Sequence, residues 1–379
     1  MKFSVLIYNY FPFGGQQRDF LRISNELLAR GHEVDVYTMS WTGDIPQGMN
    51  VISVQKQGFG RLAKYRNFTK WVETNLVGKT SSVIIGFNKM PGLDVYFAAD
   101  PCFLMKANTQ RGAYYRYTSR YRHFRDYELS VFGEMSKTQA LILTPTQQDD
   151  FVMYYPSCSS RLHLLPAGIS EDRKVLKRDR QRGQHIRDAL GLDDDTRLIL
   201  QLGSGFKVKG VDRSLKAIAS LSPHLRSTCH YLLIGEDRPD KFARLAKRLG
   251  MNEKVTIWPG RDDVPEILQA ADLLLHPAYS ESAGYVLLEA TIAGLPVLTT
   301  ASCGYAFHIE RAMSGEVCPS PFSQQDLNSR LGHMLSQLTE SSWSINGLQY
   351  GHNEDLYSMA SYAADKIEDF SNRVGAEAT

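Results

Sequence analysis

No run of 18 apolar residues occurs anywhere in the 379-residue chain, so no segment reads as a membrane-spanning helix. The opening MKFSVLIYNYF has only a short apolar stretch and no small-residue cleavage site after it. It reads as a strand and a loop, not as a secretory signal. Cysteine is scarce: five residues, at 102, 158, 229, 303 and 318, an odd number without CxxC spacing. That excludes a disulfide framework and a zinc site of that type, and it points to buried thiols in a reducing compartment. HExxH and comparable metal spacings are absent as well. The net charge is only +2.

What is present belongs to an ordinary globular protein. Hydrophobic residues make up 43% and charged residues 22%, and the length is that of two to three domains. The small net charge conceals an asymmetry. Residues 1–165 hold 19 Lys and Arg against 13 Asp and Glu, and the remainder holds 24 against 28. A basic half joined to a slightly acidic half suggests that the first half meets something anionic.

The first half alternates strands and helices. Lys2–Tyr8 is a buried strand, a loop follows with Gly14 and Gly15, and a helix runs from about Gln17 to a stop at Gly31. Glu33–Thr38 is the second strand. This order places the diglycine at the carboxyl end of a parallel strand, where α/β sheets bind ligands and where glycine allows close approach. A plain tight turn is the alternative. Asp19 lies in the first turn of that helix, either near the ligand or as an acid favoured by the helix dipole. Asp100 falls just after the strand Leu93–Ala99, placed to orient or deprotonate a hydroxyl or to cap the next segment. Asn88 and Lys89 follow the strand before it. From Arg111 to Arg125 five arginines (111, 116, 120, 122, 125) alternate with Tyr114, Tyr115, Tyr117, Tyr121 and Phe124, with no acid. That pattern suits an anionic bilayer surface, single-stranded nucleic acid, or a solvated basic helix face.

The second half repeats the alternation. After the strand Arg197–Gly203 comes GSGFKVKG, two lysines in a glycine loop that suits phosphate. Val208 stands where a dinucleotide fingerprint needs its third glycine. Glu236 and Asp237 end another strand, where an acid could take a ribose, and Gly260 and Arg261 end the next. The D-x-D at Asp193–Asp195 is read as a turn, and His276 as a structural residue. After Cys303 the chain reads as loop and helix. Residues 272–300 form the stretch around which the rest is organised: a strand to His276, a polar loop with Glu281, a helix from Tyr285 carrying Glu289, and a strand at Val297–Thr300. A helix N-terminus offers free N–H groups to phosphate, and acids beside it take hydroxyls.

The sequence E-S-A-G-Y-V-L-L-E-A-x-x-A-G-L-P-V, from Glu281 to Val297, resembles the E-x7-E signature of the retaining family-four glycosyltransferases with the GT-B architecture. YFPFGGQQRDF (10–20), GFNKMPGLDVYFAAD (86–100) and TSRYRH (118–123) narrow the resemblance, which spans nearly the whole chain, to the lipopolysaccharide core glucosyltransferases. The resemblance implies an α/β fold of two Rossmann-like domains facing each other across a cleft. It gives residues 1–165 as an acceptor- and membrane-facing domain, 166–355 as the UDP-sugar domain, and 356–379 as a helix crossing back to the first.

The activity implied is retaining, metal-independent transfer of glucose from UDP-glucose to a heptose of the lipopolysaccharide inner core, in α-1,3 linkage, with no cofactor. Gly14, Gly15 and Asp19 then face the nucleotide sugar, and Arg173 and Lys209 stabilise the leaving diphosphate. The backbone at Gly260 and Arg261 reads uracil. Glu289 holds the ribose, and Glu281 holds the hexose with backbone N–H groups at Ala283, Gly284 and Tyr285. Asp100 positions the acceptor. Many relatives carry an aromatic residue where Ala283 stands, which reshapes the donor pocket. The 111–125 region meets an anionic lipid acceptor and the cytoplasmic face of the bacterial inner membrane, and no nucleic acid is expected. Alternatives are another UDP-hexose or N-acetylhexosamine donor, a nicotinamide oxidoreductase, and a non-catalytic binder of anionic lipid or RNA.

Overall fold

The computed structural model describes residues 1–12, 14–79 and 82–377, with side chains to 373. The chain forms two compact units, Met1–Gly168 with Tyr357–Thr379, and Ile169–Leu356. Each is built on one sheet whose strands are parallel throughout.

In the first unit the strands are β1 (Lys2–Leu6), β2 (Glu33–Thr38), β3 (Met49–Ser53), β4 (Val83–Gly86), β5 (Val95–Ala98), β6 (Gln139–Ile142) and β7 (Leu162–Leu164), in the order 3-2-1-4-5-6-7. The second has β8 (Arg197–Leu202), β9 (Cys229–Ile234), β10 (Val255–Trp258), β11 (Leu273–His276), β12 (Val297–Thr300) and β13 (Gly315–Cys318), in the order 10-9-8-11-12-13. The inner strands read as unbroken apolar runs because helices cover both faces of such a sheet. Phe68, Tyr96, Phe132 and Phe151 fill one core; Ile199, Phe206, Tyr231, Leu273 and Leu331 fill the other.

Two elements depart from the sequence expectation. The chain beyond Cys303 is not only loop and helix, since β13 adds an edge strand paired to β12 from Gly315↔Val297 to Cys318↔Thr300. Four residues beginning with glycine carry almost no strand signal of their own; the neighbour's free edge makes them a strand. Strand β7, only three residues long, likewise forms against its neighbour, β6.

Both sheets reverse their strand order between the first strand and its partner on the other side, β1 beside β4 and β8 beside β11. Loops at the carboxyl ends of those strands diverge to opposite faces and leave a crevice. That one topological rule positions everything below.

The helix Met359–Glu377 belongs to the first unit and packs on the helix Gly15–Ala29. Arg30 holds it, donating to Asp365 Oδ1 (2.6 Å), Glu368 Oε2 (2.8 Å) and the Ser361 carbonyl (3.0 Å), while His32 Nε2 meets Glu368 Oε1 at 2.5 Å. Charge-assisted hydrogen bonds contribute about 1.5–3 kcal/mol each. Arg30→Ala is therefore expected to loosen this helix first. Amide protection over residues 359–373 should fall by about tenfold or more, with β1–β6 unaffected; uniform loss or none would show that Arg30 does not hold the helix.

Candidate functional site

The switch point of the second sheet brings two loops together. The loop after β8, residues 203–210, turns on Gly203 (φ +124°), Gly205 (φ +79°) and Gly210 (φ +73°). Gly210 also lies so close to the β11 loop that a Cβ there would sit 2.0 Å from the Pro277 carbonyl oxygen. Tyr279 N–H donates to the Val208 carbonyl (2.7 Å), closing one loop on the other.

Their meeting places Lys209 against Glu281: the ammonium pairs with Glu281 Oε2. His276 Nε2 lies 3.3 Å from the same oxygen. Burial, and then the neighbouring Lys209 charge, push the His276 imidazole down to about 3, so it is neutral and donates its Nε2–H to the carboxylate. Its Nδ1 is buried without a partner among the described residues. Burial likewise lowers the Lys209 ammonium, to about 8, and the contact with Glu281 acts in the opposite direction. The structural role expected of His276 takes a definite form: it supports Glu281.

The backbone at Lys209 is fixed from beneath. Buried Gln201 donates from Nε2 to the Lys209 carbonyl (2.7 Å), and its Oε1 accepts from Ser214 Oγ (2.7 Å) and the Tyr231 hydroxyl (2.6 Å). Arg213 is stacked between the rings of Tyr279 and Phe322, 3.6 Å from each, and donates to the Pro277 and Ala278 carbonyls. None of these supports has a local sequence signal; each is a polar side chain whose partner lies on another strand or loop.

Glu281 and Glu289 do not share a helix. Tyr285–Ile292 is the helix, Gly284 at φ +98° is its N-cap, and Glu281 precedes it, bridged to Cys303 through the Ser302 carbonyl and the Gly304 N–H. Glu289 is half-buried one turn inside the helix. Ala283 is buried and its carbonyl accepts from Tyr305 N–H (2.7 Å); the Tyr285 ring packs edge-on against Tyr305.

Arg173 sits in a short 3-10 turn, its Nε 3.8 Å from Asp172, with a buried Nη1 that has no partner among the described residues. No hydrogen bond or ion pair among the described residues links it to Lys209 or Glu281. Arg261 is engaged elsewhere, forked onto Asp263 (2.7 and 2.5 Å) over the Trp258 ring. Glu236 accepts from Gly260 N–H (2.8 Å), and Asp237 accepts from Phe206 N–H (2.9 Å) and Arg238 N–H (2.7 Å). Both acids therefore brace the loop backbone. Asp193–Asp195 is a turn, with Thr196 N–H on the Asp193 carbonyl (3.0 Å). Among the described residues no group of three or more His, Cys, Asp or Glu is arranged to hold a metal ion.

In the first unit the helix after β1 starts at Gly15, with Gly14 as N-cap. Asp19 consequently lies in the second turn, not the first. It is buried beside Arg22 (3.8 Å), away from the strongest part of the helix dipole. Asp100 lines a cavity of about 410 Å³ together with Asn88, Lys89, Arg111, Tyr115 and Arg120. Asp100 does not cap the helix Phe103–Gln110. Fully buried Glu128 does, accepting from Phe103 N–H (2.6 Å) and Leu104 N–H (3.0 Å) and pairing with Lys89 (2.5 Å). Glu128 escapes the sequence reading because its partners are 24 to 39 residues away.

The arginine–tyrosine stretch folds as a 3-10 turn, Ala113–Tyr117, and a helix, Ser119–Phe132. Tyr114 and Tyr117 are 89% and 81% exposed at the turn. Arg116 bonds Asn108, Arg125 pairs with Asp126, and Arg122 is exposed. No helix of the described residues is long and apolar enough to cross a membrane.

Residues 183–347 match the model of the glycosyl transferases group 1. The chain is 45% identical over 362 residues to the lipopolysaccharide glucosyltransferase WaaG of Escherichia coli (strain K12), covering 95% of this chain and 97% of that one. A crystal structure of WaaG, described as a glycosyltransferase involved in lipopolysaccharide biosynthesis, superimposes with a TM-score of 0.90 at 44% identity over 97% of this chain and 99% of that one. Anabaena HepE, solved with UDP and glucose, shares the fold at 17% identity and a TM-score of 0.68, over 100% of this chain and 99% of its own.

Proposed function

We propose the reaction from one premise: the chain belongs to the WaaG family of lipopolysaccharide glucosyltransferases, among the group 1 glycosyl transferases. It is a glycosyltransferase of lipopolysaccharide biosynthesis. The finer reading is transfer of glucose from UDP-glucose to a heptose of the inner core, in α-1,3 linkage, with retention and without a metal.

The observation that carries this reading is the half-buried Lys209–Glu281 pair at the carboxyl end of a parallel switch point, with neutral His276 behind it. A donor diphosphate competes with Glu281 for the Lys209 ammonium. The carboxylate so released accepts hexose hydroxyls, steadied by the His276 N–H. Arg173, with its unpartnered Nη1, adds a second cation for the charge that grows on the leaving diphosphate. The N–H groups that open the helix at Tyr285 lie beside the same loop, and Glu289 takes the ribose. The acceptor hydroxyl attacks on the face the diphosphate leaves and gives its proton to a donor phosphate oxygen; Asp100 orients it. Gly14, Gly15 and Asp19 approach the nucleotide sugar, and the backbone of Arg261 the base. The protein works peripherally at the cytoplasmic face of the inner membrane, where exposed Tyr114 and Tyr117 with Arg116, Arg122 and Arg125 meet anionic headgroups.

The test is transfer in excess EDTA from a panel of UDP-sugars to heptose-terminated lipopolysaccharide, followed by the acceptor's mass. A gain of one hexose from UDP-glucose alone is the expected result. Transfer only from another UDP-sugar would move the donor assignment to the pocket around Ala283, and transfer only after adding a divalent ion would overturn the metal-independent scheme.

A further inference from the structure

The five arginines of the 111–125 stretch do not act as one surface. Arg111 and Arg120 line the first-unit cavity that contains Asp100, whereas Arg116, Arg122 and Arg125 are not among its lining. Arg111 lies over the Tyr115 ring (5.5 Å) and Arg120 over the Phe124 ring (5.2 Å). Those rings hold the guanidinium groups in place and leave their N–H edges for a ligand. Arg61 and Lys106 line the same cavity, and Lys89 is already neutralised by Glu128. Four cations thus face one acid, Asp100.

The rest of the lining suits a sugar. Tyr65, Phe103 and Phe124 add apolar aromatic surface to the lining, against which the C–H groups of a pyranose pack. His123, 5% exposed, also lines the cavity, and its Nε2 has no partner among the described residues. Burial lowers this imidazole to about 4, so it is neutral and has a hydrogen bond to give or accept. A buried polar atom of this kind is seldom left unmatched when its ligand is bound.

We propose that this cavity is a subsite for an anionic sugar of the acceptor. Arg111 and Arg120, helped by Arg61 and Lys106, grip a phosphate or carboxylate on it, and His123 and Asp100 meet its hydroxyls. The membrane contact is left to the outward side chains of the same stretch. The inference rests on the transferase reading above and divides one basic stretch between two anions, one on the acceptor sugar and one on the lipid headgroup.

The experiment uses the full-length protein and two probes: water-soluble, heptose-terminated oligosaccharide from deacylated lipopolysaccharide, and phosphatidylglycerol vesicles. The double variant Arg111→Gln/Arg120→Gln should raise the oligosaccharide Kd and KM by about tenfold or more, as expected for two lost charge-assisted hydrogen bonds. Its kcat should stay within about threefold, and vesicle binding should weaken by less than about threefold. Tyr114→Ser/Tyr117→Ser should show the converse loss, of vesicle binding. Phosphatase treatment of the oligosaccharide assigns the gripped anion: affinity lost by the wild type and not by the arginine variant means phosphate, and affinity kept, with the variant's effect intact, means carboxylate. An arginine variant that loses vesicle binding while keeping its oligosaccharide Kd overturns the proposal, as does one that changes neither. Oligosaccharide binding without transfer keeps the subsite and fails the transferase reading; UDP-glucose hydrolysis without oligosaccharide binding does the reverse.

Discussion

Lys209→Ala lowers turnover by about a hundredfold or more, the size expected when one preorganised charge is removed from a growing anion. The ammonium is 20% exposed and its partner Glu281 18%, so water does not replace the lost charge well. The same residue sets the alkaline limb of the pH profile. Burial brings the ammonium down to about 8, and pairing with a carboxylate such as Glu281 favours the charged form. The charged form is the one that stabilises the diphosphate, and it is complete below its pKa. The kcat/KM for UDP-glucose should therefore be level on the acid side and fall about tenfold per pH unit once the pH passes about 8, while kcat, read with the diphosphate seated on the ammonium, should break at higher pH. Steady-state rates from pH 6 to 10.5, with thermal melting to show that the variant folds, check both statements. Unchanged turnover in Lys209→Ala, or a profile level to the end of that range, removes the Lys209 charge from the chemistry.

Gly210→Ala has the second large effect, and it acts through the backbone. Gly210 holds φ +73°, a conformation in which an L side chain costs about 1–3 kcal/mol, and its Cβ would overlap the Pro277 carbonyl at 2.0 Å. The overlap is with main chain, so one of the two loops must move, and with it Lys209 or the segment leading to Glu281. The expected result is a melting temperature of the unit Ile169–Leu356 lower by about 6 °C or more, from roughly 2–4 °C per kcal/mol in a unit of that size, together with loss of UDP-induced stabilisation. Gly205→Ala is the control. It shares the left-handed backbone (φ +79°) but would meet nothing within 4 Å, so it should cost only the conformational part. Equal effects of the two substitutions would show that the close approach to Pro277 does not hold the site.

These expectations differ in how far the sequence could have led to them. Lys209, Glu281 and the glycines around them are legible because phosphate-binding loops and hydroxyl-binding acids need those residue types at strand ends. The supports are not. Gln201, Arg213 and Glu128 look like unremarkable polar residues until the fold brings Lys209, Tyr279 and the start of the helix Phe103–Gln110 to them. His276 reads as a strand-end histidine. Only the loop after β11 turns Glu281 back onto it. Glu236 and Asp237 show the same limit, since their strand-end position suggests a ligand and says nothing of the Gly260 and Phe206 N–H groups their carboxylates accept from.

The sequence by itself determined two things: the alternation of apolar strands with helices, and hence parallel sheets, and the positions of the chemistry-bearing loops at the strands' carboxyl ends. Both follow from periodicity and turn chemistry, which are local properties of the chain. Tertiary structure alone decided that β13 and β7 are strands and that Lys209 meets Glu281. It also decided that Arg111 and Arg120 line a cavity that Arg116, Arg122 and Arg125 do not. The physical reason is common to all of them. An edge strand and a half-buried ion pair are each settled by a partner remote in sequence, and which arginines line a cavity is settled by the elements that pack around it, Tyr65 and Asn88 among them.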